Sequence, residues 1–385
     1  MRRHATAVST RWILRYLRVD DSWGASVARD AARALASTVS TARAAKNARF
    51  NIVGWFCSPP PTPFATWRGF AVGSHRAEHD IRANRGGRGG GARAQAIELN
   101  REIIASRSAG EILAIVEDRG ESFNGVNVAT AVNKLCKVAR ARDNLRRDPR
   151  YKHLLELVQK NANEMNPQEI ANVLNALSKL DAASAAVSRE GWSHFSVAAE
   201  RHAVAMNAQE VSNTLNAYAE MRKRRPQASA AVTETGWHSL AAATARTAPT
   251  ITNQAIALTV DAAKKLNAFA SAIDDEGWEI LAAAVARMAL DFNEQEAVLA
   301  LSAVGWKQEL ARSLHRQGGF DALIGSIERN IDAIRRGYPP DFAKETRKTL
   351  RAIRLIYEHE DGAYSDQRLE RLRTELQTKP GNRHK

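Results

Sequence analysis

The chain has 385 residues, of which 44% are hydrophobic and 6% aromatic, and its 56 Lys and Arg against 42 Asp and Glu give a formal net charge of +14. This apolar content is enough for a folded core, which excludes a wholly disordered protein. The two cysteines, Cys57 and Cys136, are too few for a disulfide scaffold or a cysteine-based zinc site. No apolar run approaches the roughly 20 residues that cross a bilayer, so we expect no membrane partner.

The positive charge is concentrated at the N-terminus. Residues 1–93 contain 16 Lys and Arg and 5 Asp and Glu, a net charge of +11, whereas the remaining residues contain 40 and 37, a net charge of +3. A basic composition is therefore a weak argument for nucleic-acid binding by the rest of the chain.

The first segment, MRRHATAVSTRWILRYLRV, carries five arginines and no acid before Asp20. On a helix, its apolar side chains would share one side and three of its arginines another. Arg-rich, acid-poor amphipathic segments of this kind are typical of organelle import sequences. We expect a mitochondrial protein, with a plastid protein as the alternative, and a basic tail without a targeting role is the other interpretation.

A linker composition follows this segment. Residues 58–63 are rich in proline, and residues 84–93 are rich in glycine and arginine. Such compositions do not bury enough apolar surface to order themselves. The two Arg-Gly-Gly units could contact RNA loosely, but a flexible linker is the favoured interpretation. We expect residues 1–93 to form a disordered basic leader and linker.

The rest of the chain contains an internal repeat. The segment MNPQEIANVLNALSKL at residues 165–180 recurs as MNAQEVSNTLNAYAEM at residues 206–221. Further copies begin at Ile251 and Phe292 and a weaker one at Phe123, so consecutive copies start 42, 41, 45 and 41 residues apart. The Trp of a Gly-Trp pair lies 14 residues before each of the last three copies, at Trp192, Trp237 and Trp278, and Tyr151 takes this position before Met165. The repeated segment and the aromatic residue 14 positions before it recur together, so we conclude that the repeat is real.

Each copy predicts two helices. The first helix starts at the Gly-Trp pair, whose glycine we expect to permit the turn into the helix. The second helix starts with a capping box, in which Asn166 caps the helix, Pro167 takes its first position and Glu169 follows. The same arrangement recurs at Asn207 with Glu210 and at Asn293 with Glu296, and half of it at Thr252.

Two-helix units of this length cannot bury their apolar faces alone, so consecutive units are expected to stack. We predict an all-α fold, a right-handed α-solenoid of two-helix repeats of about 41 residues. The solenoid is expected over residues 94–318, and a divergent C-terminal helical cap and tail over residues 319–385.

The pattern M-N-x-Q-E-[IV]-x-N-x-L-N-A, present at residues 165–176 and 206–217, resembles a segment of octotricopeptide-repeat and FAST-kinase-like proteins. These organellar helical-repeat proteins include the repeat domain of the mitochondrial RNA-editing substrate-binding complex. The resemblance covers residues 108–305 and implies RNA binding in RNA processing, stability, editing or translation. Many relatives end in a nuclease-like RAP domain, and the helical pattern after residue 305 departs from this, which argues against a nuclease.

The second helices carry polar residues at two positions three residues apart, which share one helix face. The candidates for contact with RNA bases are Thr130, Asn133, Asn172, Asn175, Asn213, Asn216, Asp261 and Ser302. Short polar groups in a row suit hydrogen bonding to the splayed bases of a single strand. In the alternative, which we weigh somewhat more heavily, these side chains bond to the neighbouring repeat and fix the stacking angle.

Basic clusters after the second helices provide candidates for contact with phosphates. They are Lys134, Lys137, Arg140, Arg146 and Arg147 after the first copy, and Arg222, Lys223, Arg224 and Arg225 after the third. Solvated loop charges are the alternative. The repeated tryptophans could stack on bases, although their fixed place beside the apolar residues favours a role in the core.

The sequence contains no P-loop, GxSxG, HExxH or kinase motif, and its histidines are scattered without metal-ligand spacing. We therefore expect no enzyme, no cofactor and no small-molecule substrate. The predicted function is binding of single-stranded organellar RNA. The alternative is a protein–protein scaffold subunit of an organellar ribosome or RNA-processing complex, because solenoid surfaces serve both uses.

Overall fold

A computed structural model describes residues 90–140, 143–180, 187–336, 346, 350 and 366–377. The predicted leader and nearly all of the predicted linker lie outside these residues. All the described residues belong to one compact unit, Gly87–Lys385. Apart from short 3-10 turns, every regular element in this described part is an α-helix, so the chain is all-α as predicted.

The helices follow one another along the chain with short connections. They are α1 (Gly90–Ala105), α2 (Ala109–Arg119), α3 (Gly125–Val138), α4 (Pro149–Asn161), α5 (Pro167–Lys179), α6 (Arg189–His202), α7 (Ala208–Met221), α8 (Pro226–Ala230), α9 (Glu234–Thr247), α10 (Asn253–Lys265), α11 (Asn267–Ala272), α12 (Asp275–Met288), α13 (Glu294–Val304), α14 (Gln308–Arg316), α15 (Gly319–Arg329), α16 (Ile331–Arg336) and α17 (Asp366–Glu375). Each repeat contributes a first helix (α2, α4, α6, α9 or α12) and a second helix (α3, α5, α7, α10 or α13).

The second helices start where the capping residues predict. The side chain of Asn166 accepts a hydrogen bond from the backbone N–H of Glu169, and the Glu169 carboxylate accepts one from the backbone N–H of Asn166. This reciprocal pair occupies two of the backbone N–H groups that a helix start leaves without partners. The same box forms at α7 and α13, and Thr252 forms its half at α10.

The first helices begin two residues before the Gly-Trp pair, so the predicted role of the glycine is wrong. The N-cap of α6 is Ser188, whose hydroxyl accepts from the backbone N–H of Gly191 inside the first turn. A Cβ built on Gly191 would lie 2.1 Å from Oε1 of Gln159, a residue of the preceding repeat. Gly191 therefore leaves room for the Gln159 side chain of the preceding repeat, a contact that the local sequence does not show.

The core runs along the whole array of helices. On each second helix the apolar stripe is buried, as at Ile170, Leu174 and Leu177 of α5. The repeated tryptophans are buried with it, which confirms their role in the core. Trp237 contacts Tyr218 and Phe269, with ring centroids 5.8 Å and 6.2 Å apart, in tilted or edge-to-face geometries that aromatic pairs prefer.

Counterpart helices of neighbouring repeats pack against each other. The second helices contact in the order α1, α3, α5, α7, α10 and α13, and the first helices contact in the order α2, α4, α6, α9 and α12. The first helix of a repeat also packs against the second helix of the preceding repeat, as α9 contacts α7 and α12 contacts α10. Residues at the same position of successive second helices therefore come from helices that lie side by side.

Candidate functional site

The polar residues predicted on the second helices fall into two groups. The first group, which we call the polar row, consists of Thr130 and Asn133 on α3, Asn172 and Asn175 on α5, and Asn213 and Asn216 on α7. All of these side chains are half-buried, at the edge of the core rather than inside it. Because α3, α5 and α7 are consecutive neighbours, the row extends across three adjacent helices.

The side chains of the polar row have no hydrogen-bond partner among the residues that the structure describes. The inter-repeat hydrogen bonds that the alternative requires are therefore not formed by this part of the chain. An asparagine amide offers two donors and an acceptor, and a group left half-exposed is available to a ligand. The polar row can hydrogen-bond to an external partner without breaking a contact of the fold.

The second group has partners within the chain. Asp261 on α10 is 5% exposed, and its carboxylate lies 2.7 Å from Nζ of Lys265, which is also 2.7 Å from Oε1 of Glu220 on α7. Burial alone would lower the pKa of Lys265, but the two carboxylates outweigh burial and raise this pKa above its usual value. Lys265, which pairs with Asp261 on its own helix and with Glu220 on α7, thus joins α10 to α7.

Ser302 on α13 is engaged in a similar way, because Nζ of Lys264 on α10 donates to its hydroxyl. The other polar position of these two helices is taken by Leu258, which is buried, and by Leu299. We therefore leave Asp261 and Ser302 out of the surface proposed below. Their partners come from other helix turns or neighbouring repeats, and the sequence pattern alone did not reveal them.

Several of the predicted phosphate contacts hold neighbouring helices together. Lys134 donates to the carbonyl of Ile104 at 2.6 Å, and Arg222 donates to the carbonyl of Lys265 at 2.7 Å. Arg224 donates to the carbonyl of Ser178 at 3.1 Å, and Arg225 to that of Arg224 at 2.6 Å. The accepting carbonyls lie at or near helix C-termini, where a positive charge is favourable.

The other predicted phosphate contacts face solvent. Lys137, Arg140, Arg146, Arg147 and Lys223 are all exposed. They lie at or just beyond the C-terminal ends of α3 and α7, which carry part of the polar row. Exposed cations beside half-exposed amides are the combination that binds a polyanionic strand while leaving its bases in reach of short polar groups.

The C-terminal ends of the second helices form one edge of the helix array, and one exposed cation at this edge was missed by the sequence prediction. Lys179 ends α5, 14 residues after Met165, just as Lys137 lies 14 residues after Phe123. Both lysines act on the thiol of Cys136: burial raises the pKa of this thiol, and the two positive charges oppose the rise. Lys137 and Lys179 therefore lie on the same edge, and their common position in the repeat was the signal that could have found the second.

Most aromatic side chains of the described repeats are inside the core, with one exception. Trp306, which follows α13, is 41% exposed, whereas Trp192, Trp237 and Trp278 are buried. The three buried rings cannot serve as stacking platforms for bases without opening the fold. The described residues show no partner for Trp306, and this ring is not part of the candidate site.

Within the described residues, no group of three or more His, Cys, Asp and Glu side chains is arranged to hold a metal ion. None of the helices in the described part combines the length and apolar character of a membrane span.

Comparison with known proteins adds a single short match. A family model described as "Protein of unknown function (DUF1601)" matches residues 152–174. The matched stretch runs from α4 through the capping box of α5 to Leu174, and it is too short to assign the chain to a family. None of the curated proteins matches the chain.

Proposed function

We propose that this protein binds single-stranded RNA in an organelle along the exposed side of its second helices. In this proposal the helix pairs form a right-handed α-solenoid, and RNA runs across α3, α5 and α7 roughly perpendicular to the helices. The contacts between counterpart helices support a solenoid, since such contacts are what stacking of successive units requires.

The polar row is the observation that carries the proposal. Its amides are half-exposed and have no hydrogen-bond partner in the described part of the chain, so their polarity serves no fold contact seen there. Helical-repeat RNA-binding proteins contact about one base per repeat with two or three side chains. Asn172 with Asn175, and Asn213 with Asn216, provide such a pair in each of two neighbouring repeats.

Phosphate binding is assigned to the exposed cations beside this row. We assign it to Lys137, Lys179 and Lys223, with Arg140, Arg146 and Arg147 nearby, and not to the basic residues that donate to helix carbonyls. The array carries little net charge, so we expect moderate affinity that falls steeply as salt rises. The proposal needs no catalytic group.

The proposed location is the mitochondrion, with the plastid as the alternative. Its support is the arginine-rich, acid-poor sequence of the first residues. In either organelle the bound transcript would be shielded, remodelled or presented to processing, editing or translation factors.

A second candidate function is a protein–protein scaffold within an organellar ribosome or RNA-processing complex. The observation that favours it is the use of Lys134, Arg222 and Arg224 in contacts within the fold, which leaves fewer cations for RNA. A scaffold would use the same exposed amides to bond a protein backbone.

Binding of RNA by full-length protein separates the two candidates. We would measure fluorescence anisotropy with a pool of single-stranded RNA oligonucleotides at several salt concentrations, and select the preferred sequences. The variant Asn172→Ala/Asn175→Ala/Asn213→Ala/Asn216→Ala is expected to change the preferred sequences while leaving the melting temperature nearly unchanged. The basic N-terminal segment is common to all variants, so differences between them report on the polar row.

The matched control replaces two exposed asparagines elsewhere, Asn163→Ala/Asn267→Ala, and should bind as the wild type does. Absence of RNA binding at low salt would exclude the RNA proposal and favour the scaffold. A quadruple variant that melts at a lower temperature but keeps the same sequence preference would show that the row is structural.

A further inference from the structure

A second set of amides lies on the second helices, and its composition does not vary. Gln168, Gln209, Gln254 and Gln295, which we call the glutamine row, each lie three residues after the start of a repeat copy. Each is the second residue of its helix, on α5, α7, α10 and α13. These four helices pack side by side in that order, so the row crosses four repeats.

The helix start does not explain why this position is always glutamine. The positions around it vary: the first helical residue is Pro167, Ala208, Asn253 or Glu294. The N-cap alternates between asparagine and threonine, and the third position between glutamate and alanine, while all four helices form. None of the capping hydrogen bonds uses the side chain of the second position; only the backbone N–H of Gln295 donates to its N-cap, Asn293.

The glutamine side chains also have no hydrogen-bond partner in the described residues, and they are exposed or half-exposed. The four repeats that begin at Met165 and after it share this glutamine, whereas the copy at Phe123 has Val126 there. A side chain that recurs in consecutive repeats, without a contact in the fold, fits a ligand group that is the same in every repeating unit. In RNA this group belongs to the sugar–phosphate backbone, because the bases differ. On α10 and α13 the positions that correspond to the polar row hold Leu258, Asp261, Leu299 and Ser302, so these positions vary along the array while the glutamine position does not.

We propose that the glutamine row hydrogen-bonds to ribose 2′-hydroxyls and so selects RNA over DNA. This inference rests on the proposed function and extends the RNA-binding surface from α5 and α7 onto α10 and α13. A carboxamide both donates and accepts, and so does the 2′-hydroxyl, which is the group that distinguishes the two nucleic acids.

A phosphate contact fits this row less well. Phosphates are bound most strongly by charged Arg and Lys side chains, whereas these residues are neutral. A carboxylate follows directly in three of the four repeats, at Glu169, Glu210 and Glu296. Such a neighbour disfavours a phosphate and tolerates a neutral hydroxyl.

The test compares RNA and DNA oligonucleotides of one sequence, with full-length protein and the variant Gln168→Ala/Gln209→Ala/Gln254→Ala/Gln295→Ala. One lost hydrogen bond corresponds to about a fivefold loss of affinity, so the variant should bind RNA at least tenfold more weakly. DNA binding should stay the same, and the RNA-to-DNA affinity ratio should fall towards one. Wild-type protein should likewise lose affinity for an RNA that carries 2′-deoxy substitutions.

The matched control is Gln227→Ala/Gln308→Ala, which removes two exposed glutamines away from the row and should keep the wild-type ratio. Equal losses for RNA and DNA in the quadruple variant would assign the row to phosphates and overturn the inference. So would a wild-type ratio near one, or a ratio that the variant leaves unchanged. Each of these outcomes leaves RNA binding itself intact, whereas a wild type that binds no RNA overturns the proposed function as well.

Discussion

The guanidinium of Arg246 on α9 donates to the backbone carbonyl of Met206, at 2.6 Å, and to that of Ala203, at 3.0 Å. Both carbonyls belong to the turn between the two helices of the preceding repeat. Arg201 makes the same kind of contact with Asn163, and Arg287 with Ala248. An arginine near the end of α6, α9 and α12 therefore fixes each of these three repeats to the turn of the repeat before it.

We expect Arg246→Ala to destabilise the protein by about 2 kcal/mol, because hydrogen bonds to charged groups contribute about 1.5–3 kcal/mol. Urea unfolding monitored by circular dichroism measures the change. The exposed Arg189 on α6 provides the control, since Arg189→Ala removes a similar side chain without such a contact. Equal stability of the two variants would show that this inter-repeat contact contributes nothing.

Alanine substitutions at three glycines should change the free energy of unfolding by different amounts. A Cβ on Gly319 would lie 2.3 Å from Cβ and 2.9 Å from Cα of Ala286, a contact that only a backbone shift can relieve. A Cβ on Gly110, inside α2, meets nothing within 4 Å. Gly319→Ala should therefore destabilise, by about 1–3 kcal/mol, and Gly110→Ala should stabilise, by about 0.5–1 kcal/mol.

Gly191→Ala should fall between these two. The new methyl group would displace the flexible side chain of Gln159, whose Oε1 accepts from the backbone N–H of Ser188 at 3.2 Å and from its hydroxyl at 2.9 Å. Loss of these hydrogen bonds costs about 1 kcal/mol. Thermal melts of the three variants give the order, and a reversed order would show that the repeats approach each other less closely than described.

Tyr218 on α7 is fully buried, and its hydroxyl has no hydrogen-bond partner among the described residues. Burial raises the pKa of this hydroxyl well above its usual value. Because an unpaired buried hydroxyl is unfavourable, Tyr218→Phe should unfold at the same or higher denaturant concentration, with a gain of up to about 1 kcal/mol. Tyr218→Ala, which leaves a cavity beside Trp237, should lose about 3–5 kcal/mol. A clear loss with phenylalanine would reveal a partner for the hydroxyl.

Replacing Lys179 tests the phosphate-binding edge. Lys179→Gln should weaken binding of single-stranded RNA and reduce the slope of log affinity against log salt by about 0.7, the value for one lost cation on a single strand. Lys152→Gln, an exposed lysine on the first helix α4, is the control and should keep the slope. If the slope of log affinity against log salt falls equally in both variants, the RNA does not follow the C-terminal ends of the second helices.

The sequence predicted those features that depend on neighbouring residues. The helix start at Asn166 follows from a cap and its partner three residues away, and the burial of Trp237 follows from its fixed distance to an apolar stripe. Asp261 and Lys265 lie four residues apart on one helix, a spacing that the sequence shows. The contact of Lys265 with Glu220 and the lysine contact of Ser302 could not be predicted, because they depend on which side chains meet across helices. The close approach at Gly191 was missed for the same reason.

The C-terminal helix α17 is joined to α15 by an ion pair that should make stability depend on pH. Arg368 donates to the Glu328 carboxylate at 2.8 Å and 2.6 Å, and this holds the pKa of Glu328 below its usual value. A lowered pKa in the folded state contributes stability above the unfolded pKa, and this contribution is lost as pH falls through the folded value.

Arg368→Gln should therefore lower stability near pH 7, and this loss should shrink towards pH 3 as the Glu328 carboxylate takes up a proton. The expected loss at neutral pH is about 1 kcal/mol, because both partners are partly exposed and the interaction is screened by solvent. Urea unfolding at the two pH values measures it, with Arg189→Gln at an exposed position of α6 as the control. An equal loss at both pH values would assign the effect of Arg368 to packing, and the pH dependence would then have to come from other carboxylates.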